Sequence, residues 1–230
     1  MFLHLIRHGQ ASFGSRNYDV LSPLGHEQAA ILGRHAQTLG WQLEAIIHGS
    51  LSRQIDTAQP LAPLCATASH THTAFNEYPA DAIIRAYLPG VLSAHPNLAD
   101  NLPALLQDKK QFQAVFELII ARWLAGEPGD TKGFESWHDF RNRVCHGLET
   151  AVEQHAGAKR IAIVSSGGPI AVACQKVLNL TDVDTFKLNW QIANTSVTTV
   201  RYGKSGWQLT GFNQLSHLEL LQRDGLITWR

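Results

Sequence analysis

The chain carries no excess charge of either sign: 19 Lys and Arg stand against 19 Asp and Glu in 230 residues. No net field therefore draws it to nucleic acid or to an anionic membrane, although a zero sum leaves room for a local basic site. It also lacks an apolar run of about 18 residues, the length a membrane-spanning helix needs. The apolar start, Met1 to Ile6, meets Arg7 at once and is too short for the core of a signal peptide. Cysteine is scarce and odd in number, at Cys65, Cys145 and Cys174. Their apolar, helix-like surroundings predict reduced core thiols in a cytosolic protein rather than a disulfide framework. Internal repeats and low-complexity tracts are missing, as are a Walker-type glycine loop and a GxGxxG fingerprint. Neither nucleotide-dependent transfer nor a dinucleotide cofactor is therefore indicated. The expectation is a soluble cytoplasmic protein without cofactor, nucleic-acid partner or membrane partner; a homodimer is left open.

What is present suffices for a core, with 44% hydrophobic residues, an ordinary value for a globular protein. Strands alternate with helices along the chain. Phe2 to Ile6 is a short apolar run that reads as a buried strand. In LSPLGHEQAAILGRHAQTLG, Ser22 is placed as an N-cap, Pro23 as the first helical residue and Gly40 as the stop. AIIHGS, 45 to 50, is the next strand, and SRQIDTAQPLA begins another helix. From Arg85 to Gly129 there are several prolines, no clear strand and one strong helix around QFQAVFELIIARWLAG, which together predict a helical insertion. Phe140, Val144, Leu148 and Val152, spaced by four, mark a long helix from Glu135 to Gly157. RIAIVSS reads as a strand, GGPIAVACQKVL as a turn entering a helix, and SVTTVRYGKSGWQLTGFN as a hairpin around Gly203 to Gly206. The alternation predicts an α/β fold of three layers, α/β/α, with a mostly parallel sheet covered on both faces. We expect one domain over residues 1–230 with the insertion at about 85–129.

In such open sheets, ligands bind outside the carboxyl ends of the strands. Three strand ends stand out: Arg7-His8-Gly9, then Gly49 to Arg53, then Ser165-Ser166-Gly167-Gly168. The first two each bring an arginine to that edge. The third brings a glycine pair opening a helix, whose free N–H groups and positive dipole end suit an anion. Taken singly, each arginine reads as a solvated rim residue and the glycine pair as a plain turn. Placed together at one edge, they form a phosphate-binding constellation, because the guanidinium fork matches phosphoryl oxygens.

The strand-end motif LIRHGQ resembles the hallmark of the histidine phosphatase superfamily, also called phosphoglycerate mutase-like. Further segments are similar to the family's in order along nearly the whole chain. They are LSPLGHEQA after the first loop, GSLSRQIDTAQ as a second arginine motif, and FNEY as the segment bearing an acid. GFESWHDFRNRV resembles the long-helix opening, and ANTSVTTV and FNQLSHL the closing strands. The stretch from Arg85 to Gly129 falls where the family varies most.

The resemblance implies a phosphomonoesterase that works through a phosphohistidine. His8 is the implied nucleophile; imidazole is neutral near pH 7, attacks phosphorus readily and leaves readily. Arg7 and Arg53 are the implied clamp on the phosphoryl oxygens. Glu77, which alone reads as a solvated loop carboxylate, is the implied acid and then base. Ser166 and Gly167 complete the implied phosphate site. Gln10, Ser12 and Asn17 lie on the loop after His8 and are placed at the substrate entrance.

One position departs from the family. A second histidine normally precedes the glycine pair, and this chain has Ser166 there. A charge-assisted hydrogen bond of that kind contributes about 1.5–3 kcal/mol. Its loss slows hydrolysis roughly 10- to 150-fold at about 1.36 kcal/mol per decade, less than enzymes commonly supply. Ser166 and the N–H groups of Gly167 and Gly168 are the candidate replacements; His217 is a weaker one and reads mainly as structural. The competing expectation is a weakly active or non-catalytic phospho-ligand binder. Phosphoglycerate mutase activity has less behind it, since a mutase must keep its phosphohistidine and re-bind an intermediate in two orientations. His70 and His72 lack a third metal ligand at recognisable spacing and read as a solvated loop, so no metal is expected. The expected substrate is a small phosphate ester.

Overall fold

A computed structural model describes residues 1–12, 19–99, 109–129 and 133–229. The described chain divides into two compact units, one of residues 1–77 with 143–230 and one of residues 78–142.

The larger unit is built on a six-stranded sheet: β1 (Phe2–Arg7), β2 (Ala45–His48), β3 (His70–Thr71), β4 (Arg160–Ser165), β5 (Val197–Gly203) and β6 (Gly206–Gln214). The order is β3-β2-β4-β1-β5-β6. β1 pairs in parallel with β4, as β2 does with β4 and β3, whereas β5 and β6 join antiparallel at the other edge. The near-continuous apolar runs of β1 and β4 suit strands covered on both faces. The register aligns the strand ends. Arg7 pairs with Ser165, and both Ile6 and His48 pair with Val164. The carboxyl ends of β1, β2 and β4 therefore stop at one edge.

Helices cover both faces. On one, Ile6, Ile46, Ala162 and Val164 pack with Leu32 and Ala36 of α1 (Pro23–Thr38), Ala58 of α2 (Ser52–Ala58) and Leu61. Ser22 caps α1 by accepting from Gly25 N at 3.0 Å, Pro23 opens it, and Gly40 follows its end at φ +63°. That left-handed value suits glycine past a helix C-terminus. α2 is short because Pro60 and Pro63 cannot donate to a continuing α-ladder, and the chain goes on as a 3₁₀ turn, Gln59–Leu64. On the other face Leu5 and Ile163 meet Phe75, Leu148 of α6 (Trp137–Gln154), and Ile170 and Ala173 of α7 (Gly167–Leu178). The α/β/α layering with a mostly parallel sheet is thus as expected. α8 (Asp182–Asn189) and the short α9 (Ser216–Glu219) complete this unit.

The smaller unit contains α3 (Ala80–Ala94), α4 (Pro96–Ala99) and α5 (Lys109–Leu124), with no strand among its described residues. Trp123 is its centre, 5.3 Å from the rings of Tyr78 and Trp137 and 6.0 Å from Phe140. Its indole N–H donates to Glu135 O at 2.9 Å. These aromatics are core.

Two local expectations need correction. The sequence pattern does not announce α3, because Pro89 lies within it. Pro normally breaks a helix interior, yet Ile83, Ala86, Tyr87 and Val91 give this one a continuous buried stripe. His70-Thr71 is an edge strand paired to Ile47 and His48, not a loop. Two polar residues carry too little periodicity to announce a strand. None of the three cysteines is in a disulfide; Cys174 is a core residue as expected, whereas Cys65 and Cys145 are only half-buried. Among the described residues no helix is long and apolar enough to cross a membrane.

Candidate active site

His8 follows β1 with both its backbone groups held. Its N–H donates to Ser165 O at 2.9 Å and its carbonyl accepts from Asn194 Nδ2 at 3.0 Å. The ring is buried, 5% exposed. Nδ1 lies 2.6 Å from Gly9 O, and Nε2 lies 3.2 Å from Arg53 Nε. A carbonyl can only accept and a guanidinium can only donate. The tautomer is therefore fixed: Nδ1 carries the proton and Nε2 presents a lone pair. Burial first, then the charges of Arg53 and Arg7, push the imidazole pKa well below its ordinary 6.5, against the opposing pull of Gly9 O. His8 is neutral at physiological pH.

The loop after His8 requires glycine. A Cβ on Gly9 would stand 2.4 Å from Gly25 O, well inside van der Waals contact. That close approach of backbone to α1 lets Gly9 N donate to Thr57 Oγ1 at 3.0 Å, and Thr57 Oγ1 donates in turn to Arg53 O at 2.7 Å. β1 and α2 are thereby tied together beneath the imidazole.

Arg53, 8% exposed, stands between His8 and Asp19. Its Nη1 meets Asp19 Oδ1 at 2.8 Å. Asp19 also accepts from Ser52 N through Oδ2 at 2.9 Å and from Arg53 N through its backbone carbonyl at 2.8 Å. Arg7 donates from Nη1 to Ile192 O. One guanidinium thus meets the neutral imidazole directly, and the charge of a second acts on it.

At the end of β4, Ser165 Oγ donates to Phe75 O at 2.7 Å and Ser166 begins α7. Gly167 has Asn189 Oδ1 2.4 Å from where a Cβ would lie, so α8 packs directly on this turn. Gly168 N donates to Glu77 Oε2 at 3.2 Å. An unpaired N–H in a helix's first turn and the positive dipole end are a natural seat for a carboxylate.

The structure therefore gathers His8 and Arg53 in direct contact. Arg7 adjoins them in sequence, Ser165 lies against the His8 backbone, and Glu77 sits on the same turn as Ser166 and Gly167. The entrance residues fare differently. Gln10 turns to α1, where its Oε1 accepts from Ser22 Oγ at 2.8 Å, and Ser12 Oγ donates to Leu21 O at 3.1 Å. Asn17 lies outside the described residues. His217 is bonded through Nε2 to Thr195 Oγ1 at 3.1 Å, and Thr195 N in turn donates to Arg7 O at 3.0 Å. It supports the backbone behind the site. His72 Nδ1 accepts from Ala74 N at 3.2 Å, and among the described residues no group of three or more His, Cys, Asp or Glu is placed to hold a metal.

Asp19, Gln54, Thr57 and Asn194 do not stand out in the sequence. A polar residue at a buried helical phase (Gln54) and a polar run inside a buried segment (Asn194 to Ser196) are signals that point to such roles.

The histidine phosphatase superfamily (branch 1) family model matches residues 3–83 and 106–215. No curated protein sequence matches the chain. Among solved structures the chain is similar to a phosphoglycerate mutase from Bacillus anthracis str. Sterne, at 19% identity and TM-score 0.67, covering 97% of each chain. It is similar to a phosphoserine phosphatase in complex with 3-phosphoglyceric acid from Entamoeba histolytica, at 21% identity and TM-score 0.65, covering 94% of this chain and 98% of that one. A mycobacterial glucosyl-3-phosphoglycerate phosphatase in complex with inorganic phosphate matches at 22% identity and TM-score 0.62, over 94% and 98% of the two chains. At these identities the likeness speaks for the fold.

Proposed function

The chain belongs to the histidine phosphatase superfamily, and from its site we propose that it hydrolyses a small phosphate monoester through a phosphohistidine on His8. The observation that carries this reading is the His8 tautomer. A neutral imidazole with its Nε2 lone pair directed at a guanidinium is a nucleophile already placed beside its phosphate clamp.

The steps follow from the same contacts. As the phosphoryl group enters, a phosphoryl oxygen takes over the Arg53 Nε–H, which frees the Nε2 lone pair. Nε2 bonds to phosphorus as the ester P–O bond breaks, and Arg7 and Arg53 hold the charge on the equatorial oxygens. Glu77 enters this step in its protonated form, gives that proton to the departing alkoxide and is left as the carboxylate that Gly168 N–H holds. It then takes a proton from water, whose oxygen bonds to phosphorus as the P–N bond breaks. His8 returns neutral, with its Nδ1 proton unmoved.

The second reading, a binder without useful turnover, rests on Ser166 standing where the family has a histidine. A pocket that only binds has no use for a lone pair on His8 or a carboxylate at Glu77, which favours the enzyme. The mutase reading has the least support, since it adds the need to retain the phosphoryl group. A panel of phosphate esters, including phosphoserine and 3-phosphoglycerate, assayed with wild type beside His8→Ala, tests all three. Inorganic phosphate released by wild type and not by His8→Ala supports the phosphatase. Phosphate binding without release supports the binder, and isomerised ester without release supports the mutase.

A further inference from the structure

Gln54, the third residue of α2, is fully buried. Its carboxamide orientation is set on both sides. Nε2 donates to Phe75 O at 3.0 Å, and Oε1 accepts from Leu51 N at 3.4 Å. Exchanging oxygen and nitrogen would set carbonyl against carbonyl and N–H against N–H. The second proton of Nε2 is directed at Ser166 Oγ, 2.9 Å away. At that contact Ser166 can only accept.

A serine hydroxyl has one proton and two lone pairs. With a lone pair engaged by Gln54, the Ser166 proton must find an acceptor elsewhere. Ser166 is fully buried, and its side chain makes no cap bond to α7. No acceptor for that proton is found among the described residues, in contrast to Ser165, whose hydroxyl donates to Phe75 O. Buried polar hydrogens are normally paired. Position then indicates the acceptor. Ser166 lies between Ser165, whose carbonyl holds the His8 N–H, and Gly168, whose N–H holds Glu77. The residue preceding Gln54 is Arg53, whose Nε meets His8.

We infer that Gln54 is a positioning residue, which by donating to Ser166 Oγ aims the Ser166 hydroxyl proton at a phosphoryl oxygen, so that the two act as one donor unit. This rests on the reading of the strand-end cluster as a phosphoryl site. It gives α2 two roles from neighbouring residues: Arg53 supplies charge, and Gln54 sets the direction of a neutral donor across the same site. The Ser166 variant then needs Gln54 as its companion.

The test reverses the hydrogen bond. In Gln54→Glu a buried carboxyl is neutral, because burial disfavours the charged form. Its O–H has one proton fewer than the amide and donates to Phe75 O, so that oxygen now accepts from Ser166 and draws the hydroxyl proton away. Affinity for inorganic phosphate and for vanadate is measured by calorimetry for wild type, Gln54→Glu, Ser166→Ala and the double variant. Ester kinetics are measured in parallel. The expected result is a loss of roughly 10-fold or more in each single variant, with kcat falling more than KM rises, and no further loss in the double variant. Losses that add in full, or a folded Gln54→Glu with unaltered affinity, overturn the inference. Should Gln54→Glu not fold, Gln54→Met is carried through the same cycle with the same criteria. Wild type that hydrolyses esters through His8 while the cycle is additive leaves the phosphatase reading standing and removes only the role of Gln54. Wild type that binds neither anion overturns both.

Discussion

Asp19 holds Arg53 from two sides, by its carboxylate on Nη1 at 2.8 Å and by its backbone carbonyl on the arginine's N–H at 2.8 Å. The same carboxylate accepts from Ser52 N, so one side chain caps α2 and aims the guanidinium that meets His8. Removing it affects stability and chemistry together. Asp19→Ala is expected to lower stability by about 1 kcal/mol through the lost cap and to reduce kcat/KM. Asp19→Asn, which keeps an acceptor for Ser52 N but not the charge, should recover stability more than rate. Thermal melts beside steady-state kinetics separate the two. Equal recovery of both in Asp19→Asn would show that the charge on Asp19 does not position Arg53.

The clamp makes a quantitative prediction. Arg7→Ala and Arg53→Ala should each weaken phosphate or vanadate binding by roughly 1.5–3 kcal/mol, the contribution of a charge-assisted bond. Arg53→Ala also removes the larger of the two charges that depress the His8 pKa. The His8 titration should therefore move up toward 6.5, and with it the acid limb of the activity profile. Imidazole NMR titration of the two proteins decides this; an unmoved His8 would take Arg53 out of its electrostatics.

How far the site can be read from the sequence depends on whether its residues signal by local pattern. Ser22, Pro23 and Gly40 punctuate α1 because capping and left-handed backbone are local demands. The strand ends of β1 and β4 are legible for the same reason, since apolar runs stop at polar residues. Asp19 and Gln54 are not legible. Their partners, Arg53 Nη1 and Ser166 Oγ, are brought near only by the folded sheet, 34 and 112 residues away along the chain. Helix α3 is hidden by Pro89, whose local penalty is outweighed by the burial of Ile83, Tyr87 and Val91. Arg7 reads as a clamp from its strand-end position and its motif, while its bond to Ile192 O is visible only in the fold.

Ser166→His, which places an imidazole where the resemblance to the family implies its second histidine, should fail when made alone. Ser166 is fully buried with Gln54 Nε2 only 2.9 Å from its oxygen. An imidazole there overpacks the turn, at a cost of about 1–3 kcal/mol, and should not raise kcat. With Gln54→Ala beside it, space opens, and the double variant should turn over faster than Gln54→Ala alone. Kinetics with a circular-dichroism check of folding measure both. A well-folded single variant with raised kcat would mean that the turn is roomier than the packing indicates.

Acid should destabilise the fold before carboxylates are neutralised. His4 lies stacked on Trp41 with ring centroids 4.2 Å apart, and burial with the nearby Arg160 charge lowers its pKa to about 4. His217, buried behind Thr195 and near His35, is also lowered to about 4. Both are neutral in the fold and take up a proton near 6.5 once unfolded. The unfolded chain thus binds more protons between pH 6.5 and 4, and stability falls as pH drops through that window. The loss approaches roughly 3 kcal/mol for each histidine by pH 4, with His8 acting in the same direction. Urea unfolding at stepped pH should show this decline, and His4→Gln should flatten it. A flat profile from pH 7 to 5 in wild type would contradict the burial of neutral histidines.

The decisive step is covalent and concerns one atom of His8. Wild type incubated with a phosphate ester bearing labelled phosphorus, quenched without acid and mapped by peptide, should carry label on His8. Phosphorus NMR should place it on Nε2, because Nδ1 holds the proton donated to Gly9 O. His8→Ala should show neither label nor hydrolysis. Turnover that survives His8→Ala unchanged, or label found on another residue, would contradict the phosphohistidine mechanism.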